Sequence, residues 1–599
     1  MTDVAASPRF RVGIDVGGTF TDLTLVPEPA GTVTTWKVPS TPADPSEAML
    51  LGISEALSQV GAESGAIAYL AHGTTVATNI LLERRGARIA LITTQGFRDI
   101  LEVARGRWPS SYDLDADKPE PLVSRALSYE VPERMLFDGS VHTPLDESAV
   151  VDLAALLTDE RVTSVAVSLL HGYANPAHER RIRELLAQHA PDVAVSLSSD
   201  ILPEYREYER TLTTAANAYL MPRMAQYLGS LVGRVRDAGI PVDPLINSSS
   251  GGLLPVTTAA TKPVLTVMSG PSAGVVGALD VGRRAGLENL ITFDMGGTST
   301  DVALVDGGVL PVAKSKDLGG LALAVPTADV VSIGAGGGSI ARIDDGGLLK
   351  VGPESAGATP GPACYARGGT LPTVTDAMMV LGYLNEKHLL GGRMKVDRSA
   401  AERVVQEHVA GPLGISIVEA ALGILDVTRS NIEQAILIVS VRRGFDPRDF
   451  SLLAYGGAGP QHAAALAANL AVSSVIIPFA PGTLCAQGLL ASDMRTDYSK
   501  TAHFAARAGS GPLLRDVSAE LDEHAAKWFE ASGISRERRV LQRSVDMRYV
   551  GQHHQLSIPL NGTLEDDNWD DLNTAFNLQH HRLYGHSTIA ATEIGRAHV

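Results

Sequence analysis

Cysteine is nearly absent: the 599-residue chain has two, Cys364 and Cys485. Two cannot build a disulfide framework or a four-cysteine metal cluster, and their scarcity fits a reducing compartment, so a cytoplasmic protein is expected. Positive charge is also in deficit. Fifty Lys and Arg against 67 Asp and Glu leave a formal charge of −17, which argues against a nucleic-acid partner, because phosphate backbones attract basic surfaces. Apolar runs are short: the greasiest stretch, Leu318 to Gly338, is broken by Pro326 and Asp329, so no bilayer span is expected. The start carries Asp3 and no apolar block before the first patterned strand, so no export signal is expected either. Three motifs are missing as well. Without GxxxxGK[ST] there is no P-loop, and without H-E-x-x-H or C-x-x-C a zinc site has no support.

Glycine, by contrast, is plentiful, at 59 residues, above the roughly 7 % average. Much of it lies in an internal repeat. Residues 14–26 read IDVGGTFTDLTLV and residues 293–305 read FDMGGTSTDVALV, identical at 8 of 13 aligned positions and 279 residues apart. That spacing is too long for a solenoid and suggests duplication of a half-domain. Each copy reads as strand, Gly-Gly turn, strand, a hairpin pattern. Glycines let backbone N–H groups approach an anion closely. Thr19, Thr21, Thr298 and Thr300 add hydroxyls. Asp15 and Asp294, at the strand ends, are suited to hold a hydrated Mg²⁺ or to orient an attacking oxygen.

Further along the chain, His72-Gly73-Thr74-Thr75 follows the strand-like run Ile67–Ala71 and leads into a helical run from Ala77. Hydroxyls and N–H groups there would suit a polar substrate. Gly334–Ser339 follows the strand Val330–Ile333, and Gly456–Pro460 lies between the strand Phe450–Tyr455 and the helix Gln461–Ala468. Both glycine runs suit close contact with a nucleotide, or a tight packing turn. A rival reading comes from Gly270-Pro271-Ser272-Ala273-Gly274, which fits G-x-S-x-G with an expected strand before it (Val264–Met268) and a helix after it, so Ser272 could be a hydrolase nucleophile. The same turn fits a helix start facing phosphate. Cys364 lies in the Gly/Pro-rich segment Gly352–Tyr365 and is expected to be a buried thiol.

Alternating strands and helices argue an α/β class throughout. The expected divisions are residues 1–200, 201–495 and 496–599. Trp108–Glu120, polar and with two prolines, is expected to be an exposed loop. The last region shows helical patterning over Leu514–Ser532 and a strand at Arg543–Val550. Its tail, Glu593-Ile594-Gly595-Arg596-Ala597-His598-Val599, reads like an in-frame sequencing adapter. The C-terminal region is therefore expected to be truncated, with its last strands short of partners.

The paired D-x-G-G-T hairpins resemble the phosphate clamps of the actin, hexokinase and Hsp70 ATPase superfamily, and the whole chain resembles the hydantoinase A/5-oxoprolinase family. The matching segments run from DVGGTFTD (15–22) through HGTTVATN (72–79), GFRD (96–99), SGPSAG (269–274) and DMGGTSTD (294–301). They continue through GAGGGSIA (334–341), GPESAGATPGPACY (352–365) and TDA (375–377) to YGGAGPQHA (455–463). The resemblance implies an α/β fold of two ribonuclease-H-like (actin-like ATPase) domains around a central cleft, plus a partial C-terminal α+β region. It implies ATP and Mg²⁺, with Asp15 and Asp294 as catalytic and metal-holding residues. Gly17, Gly18, Thr19, Thr21, Gly296, Gly297, Thr298, Gly336, Gly337, Gly457 and Gly459 would bind the nucleotide. His72, Thr74, Thr75 and Asn79 would face the substrate.

The activity implied is O-phosphorylation of a cyclic amide such as 5-oxoproline or a hydantoin, with a hydantoinase B-type partner subunit in a hetero-oligomer and neither nucleic acid nor membrane involved. The alternatives are a ketone carboxylase subunit using the same ATP chemistry, and a non-catalytic actin-like switch. An Fe–S-linked activator is disfavoured by two distant cysteines.

Overall fold

The computed structural model describes residues 8–599 except 30, 42–43, 107–109, 111, 114, 388–391, 393, 508, 561–568 and 589. The first half begins with three antiparallel strands, β1 (Arg9–Val16), β2 (Phe20–Glu28) and β3 (Thr34–Pro39). Alternation along β1 sends Val12, Ile14 and Val16 into the core. β4 (Ile67–Thr74) lies parallel to β1 on its other side, followed outward by β5 (Leu245–Asn247) and β6 (Leu253–Pro255), giving the order β6-β5-β4-β1-β2-β3.

A second sheet repeats this plan. β7 (Leu290–Met295), β8 (Thr300–Val305) and β9 (Val330–Ile333) form an antiparallel set. β10 (Ser451–Tyr455) and then β11 (Val475–Ile476) extend it in parallel, giving β9-β8-β7-β10-β11. Strand for strand, β1 to β5 correspond to β7 to β11. The duplication expected from 13 aligned residues therefore extends to a five-stranded unit.

Between β4 and β5 the chain builds a parallel four-stranded sheet from Ile89–Thr94, Ser128–Val131, Ser164–Ser168 and Ala194–Leu197, then the long helix Glu207–Asp237. The first sheet is completed only at β5 and β6, on the far side of the division expected at residue 200. The expected loop at Trp108–Glu120 lies partly outside the described residues, Trp108 included; its described part is irregular and largely exposed.

The C-terminal region is α+β. Strands Ser499–Ala505, Thr592–His598, Arg543–Tyr549 and Leu556–Leu560 pair antiparallel in that spatial order, with helices Gly511–Ala531 and Trp569–Tyr584. The expected shortage of partners is not found at Thr592–His598, which is paired on both sides. No single helix among the described residues is long and apolar enough to cross a membrane; one bent pair, Arg398–Leu413 with Ile417–Arg443, passes on length and composition alone.

Candidate active site

The two Gly-Gly-Thr bends share one geometry. In the first, Val16 pairs with Thr21 and Gly17 N–H donates to Phe20 O at 3.1 Å. In the second, Met295 pairs with Thr300 and Gly296 N–H donates to Ser299 O at 3.0 Å. The bends face each other: a Cβ built on Gly297 would lie 3.9 Å from Thr19 Oγ1. Gly18, Gly297 and Thr298 are exposed at the tips, which leaves their N–H groups able to meet an anion.

Behind the tips, Asp15 and Asp294 converge on one side chain. The Cys485 thiol donates to Asp294 Oδ2 at 3.4 Å, and burial, then the charges of Asp294 and Asp15, push that thiol up. Cys485 sits in the first turn of the helix Leu484–Ala491. Each carboxylate also lies against a glycine at the end of the neighbouring parallel strand, Gly73 within β4 and Gly456 directly after β10. A Cβ on Gly73 would come within 2.8 Å of Asp15 Oδ1, and one on Gly456 would overlap Asp294 Oδ1 outright. Sequence patterning does not mark Cys485 as a site residue, and it places Gly73 and Gly456 inside ligand-facing runs without pointing to the aspartates they flank. For the glycines a signal exists, since both lie at the ends of strands leading into recognisable motifs; the lone cysteine carries none.

Burial pushes Asp15 up to about 7, the Asp22 charge adding to the rise and Lys37 opposing it. Burial likewise pushes Asp294 up to about 7, with the charges of Asp301 and Asp15 adding to it. Asp22 is paired with Lys37 at 2.5 Å, and Asp301 accepts a hydrogen bond from Ser332. Two carboxylates kept from ordinary ionisation by burial and by the neighbouring Asp22 and Asp301 charges form a donor set that a divalent cation would relieve. Among the described residues no three His, Cys, Asp or Glu cluster as a metal cage. Two carboxylates alone fit Mg²⁺, which keeps waters and substrate phosphates in its shell.

The remaining expected residues divide into those at the cleft and those behind it. Gly457 is exposed and a Cβ there would meet nothing, whereas Gly459 is buried against Phe293 and Met295. Gly336 and Gly337 are buried behind the second bend: Gly337 N–H donates to Gly296 O at 3.0 Å, and a Cβ on Gly336 would press on the Thr298 backbone at 2.6 Å. Their bareness is explained by that packing. Thr21 is buried, its hydroxyl on Ser40 at 3.0 Å, and the Thr300 hydroxyl donates to Ala335 O; both face backwards because strand alternation turns them from the tip.

Of the HGTTVATN residues, His72 and Thr74 are buried in β4. His72 Nε2 is bonded to Tyr227 OH at 2.8 Å, and burial holds the ring down at about 4, so it is a neutral core histidine with no face for a substrate. Thr75 is half-buried and Asn79 exposed, joined by a 3.4 Å hydrogen bond at the start of the helix Val76–Leu82.

The rival serine reading is corrected. A 3₁₀ turn, Pro263–Thr266, replaces the expected strand. Ser272 lies fully buried in the first turn of the helix Ser269–Arg284, its hydroxyl directed at Ser248 O (2.9 Å) and Ser269 O (2.6 Å). Cys364 is buried as expected, and burial together with the Asp376 charge pushes its thiol up.

With this geometry in place, comparison with known proteins gives a consistent result. Models of the hydantoinase/oxoprolinase N-terminal region, the hydantoinase/oxoprolinase domain and the hydantoinase/oxoprolinase C-terminal domain match residues 11–190, 210–498 and 501–597. The chain is 38 % identical over 589 residues to caprolactamase subunit alpha of Pseudomonas jessenii, covering 97 % of this chain and 84 % of that one. It is 36 % identical over 578 residues to the acetophenone carboxylase gamma subunit of Aromatoleum aromaticum, covering 92 % and 78 %. Among solved structures, the ATP-dependent caprolactamase from Pseudomonas jessenii superposes with a TM-score of 0.90 at 36 % identity, covering 98 % of this chain and 86 % of that one.

Proposed function

The chain belongs to the hydantoinase/oxoprolinase family, and on that premise we propose that it is the ATP-dependent subunit of a cyclic-amide hydrolase. In this reading the two five-stranded units are ribonuclease-H-like domains of actin-like type, and their bends grip one ATP between them. The observation that carries it is the pair of facing Gly-Gly-Thr bends with Asp15 and Asp294 at matching positions on the two inner strands behind them. Gly17, Gly18, Thr19, Gly296, Gly297 and Thr298 present N–H and hydroxyl donors to the β- and γ-phosphates. Gly457 lies open at the nucleotide's edge, and Gly336, Gly337 and Gly459 support the bends from behind. Asp15 and Asp294 would hold Mg²⁺, which would supply charge neutralisation to the phosphate being transferred.

The chemistry follows from the acceptor. An unstrained lactam resists hydrolysis. Attack of its oxygen on the γ-phosphorus breaks the bond to the β,γ-bridging oxygen and yields ADP and, as the ring N–H proton is released to solvent, an O-phosphorylated imidate, whose carbon is far more electrophilic. Water then adds at that carbon, the ring C–N bond breaks with the nitrogen taking up a proton, and the resulting acyl phosphate is hydrolysed by a second water to carboxylate and phosphate, assisted by a B-type partner subunit in a hetero-oligomer. Positioning and charge neutralisation supply most of the catalysis, and the bends provide both.

A second reading uses the same ATP chemistry in ketone carboxylation, and the likeness to an acetophenone carboxylase subunit supports it. The experiment that separates them is ADP release, from the chain alone and with its neighbouring gene product, across 5-oxoproline, hydantoins, caprolactam and ketones with bicarbonate. Stimulation by a cyclic amide is expected. Stimulation by a ketone with bicarbonate instead selects the carboxylase, and slow release indifferent to every acceptor selects the actin-like switch.

A further inference from the structure

We propose that Cys485 is a positioning residue whose thiol sets the spacing of Asp15 and Asp294, and so sets how much Mg²⁺ the site requires. The inference rests on the reading above, in which those two aspartates hold the metal.

The backbone around the thiol has little freedom. The helix Leu484–Ala491 touches the first sheet where a Cβ on Gly13 would strike Ala486 O. It crosses the helix Ser269–Arg284 at Gly277 and Gly488. A Cβ on Gly277 would stand 2.7 Å from Leu484 O, and one on Gly488 would overlap Ala273 O. The first turn of this helix is thus clamped by direct backbone contact against β1 on one side and, on the other, against the helix that leads into β7. Cys485 is placed relative to both halves at once.

Each carboxylate is confined from two sides. Its Oδ1 lies against a glycine, Gly73 for Asp15 and Gly456 for Asp294, and the helix brings its thiol onto Asp294 while its backbone presses on β1 at Gly13, two residues before Asp15. A thiol has one proton, a long reach and weak donor strength. It therefore orients Asp294 beside Asp15 without neutralising either carboxylate, and it yields when a stronger partner enters between them. A hydroxyl at the same position keeps the donor at a shorter reach, whereas a methyl removes it.

The test compares Cys485→Ala and Cys485→Ser with the wild-type chain. Half-saturating Mg²⁺ for ADP release at fixed ATP is expected to rise roughly tenfold in Cys485→Ala, in the range seen when a group orienting a metal ligand is lost. The maximal rate should change much less, and Cys485→Ser should recover most of the metal affinity. A merely structural cysteine would lower stability without separating metal requirement from maximal rate. In ligand-free protein, amide exchange at Gly17–Thr19 and Gly296–Thr298 is expected to quicken in Cys485→Ala and not in Cys485→Ser. An unchanged metal requirement in Cys485→Ala, or equal damage in both variants, overturns the role of the thiol while the functional reading stands. Wild-type ADP release with no Mg²⁺ dependence overturns the functional reading, and the ligand-free exchange experiment then decides the role of the thiol by itself: unchanged exchange at both bends in Cys485→Ala rejects it.

Discussion

In the first half the Gly-Gly-Thr bend is held from behind by one residue, half through its side chain: Ser40 Oγ donates to Gly17 O at 2.7 Å, and Ser40 N–H donates to Thr19 O at 3.0 Å. In the second half backbone supplies the same support. Gly337 and Gly338 N–H groups donate to Gly296 O and Gly297 O at 3.0 and 2.6 Å. The bend is the same and the supports differ, so it is the geometry of the bend, not the means of holding it, that the two halves have in common. A second difference concerns charge. On the third strand of each sheet, the position opposite the outer aspartate is Lys37 facing Asp22 in the first half and Ser332 facing Asp301 in the second. The first carboxylate pair meets its opposing cation directly across the sheet, whereas Asp301 meets a hydroxyl there and feels the charge of Lys316 without pairing to it.

The comparison breaks most visibly if the two inner aspartates are unequal. Asp15→Asn and Asp294→Asn are each expected to cut ADP release by about a hundredfold to a thousandfold without disturbing the fold by circular dichroism. Wild-type turnover in either variant would remove that hairpin from the mechanism. Next come the paired glycines. Gly456→Ala forces a methyl into Asp294 Oδ1 and adds strain at φ +82°, whereas Gly73→Ala meets Asp15 Oδ1 at 2.8 Å with no such strain. Losses of roughly a hundredfold and roughly tenfold in rate are expected, and the reverse order would show that the first site is the tighter one.

Charge asymmetry predicts a stability difference. Lys37→Met strands the Asp22 carboxylate and should cost about 2 kcal/mol, against about 1 kcal/mol for Ser332→Ala, both read from urea unfolding. Equal costs would mean that the lysine contributes no more than a hydroxyl.

The smallest effect concerns two buried histidines, His72 beside the first inner strand and His462 in the helix Gly459–Leu470 of the second half. Burial lowers both to about 4, with Arg429 adding to the effect at His462. Both are neutral when folded and take protons on unfolding below about 6.5. Each therefore contributes stability that is whole above that pH and fades toward pH 4. At pH 5.5 the loss is about 1 kcal/mol per ring, and His72→Phe or His462→Phe should flatten the corresponding slope. A slope unchanged in both variants would assign the acid sensitivity elsewhere.

Much of this site is legible in the amino-acid sequence because the hairpins repeat: thirteen aligned residues locate both bends and both inner aspartates. The strands around them are legible too, since Ile89–Thr94 and Ser451–Tyr455 are compact apolar runs bounded by turns. Contacts between distant segments are not. Cys485 reaches Asp294 across 191 residues, and no local pattern encodes that meeting. Thr21 and His72 mislead for a simpler reason: they sit inside convincing motifs, but strand alternation turns Thr21 toward Ser40, and β4 carries His72 into the core. Gly336 and Gly337 resemble ligand contacts because a bend packed against another bend needs glycine as much as a phosphate does.

Hydrogen exchange followed through a titration with Mg–ATP tests the central claim most directly. If both bends grip one triphosphate, the amides of Gly17–Thr19 and Gly296–Thr298 gain protection together, with a single midpoint. Protection confined to one bend, or two separate midpoints, would contradict the account.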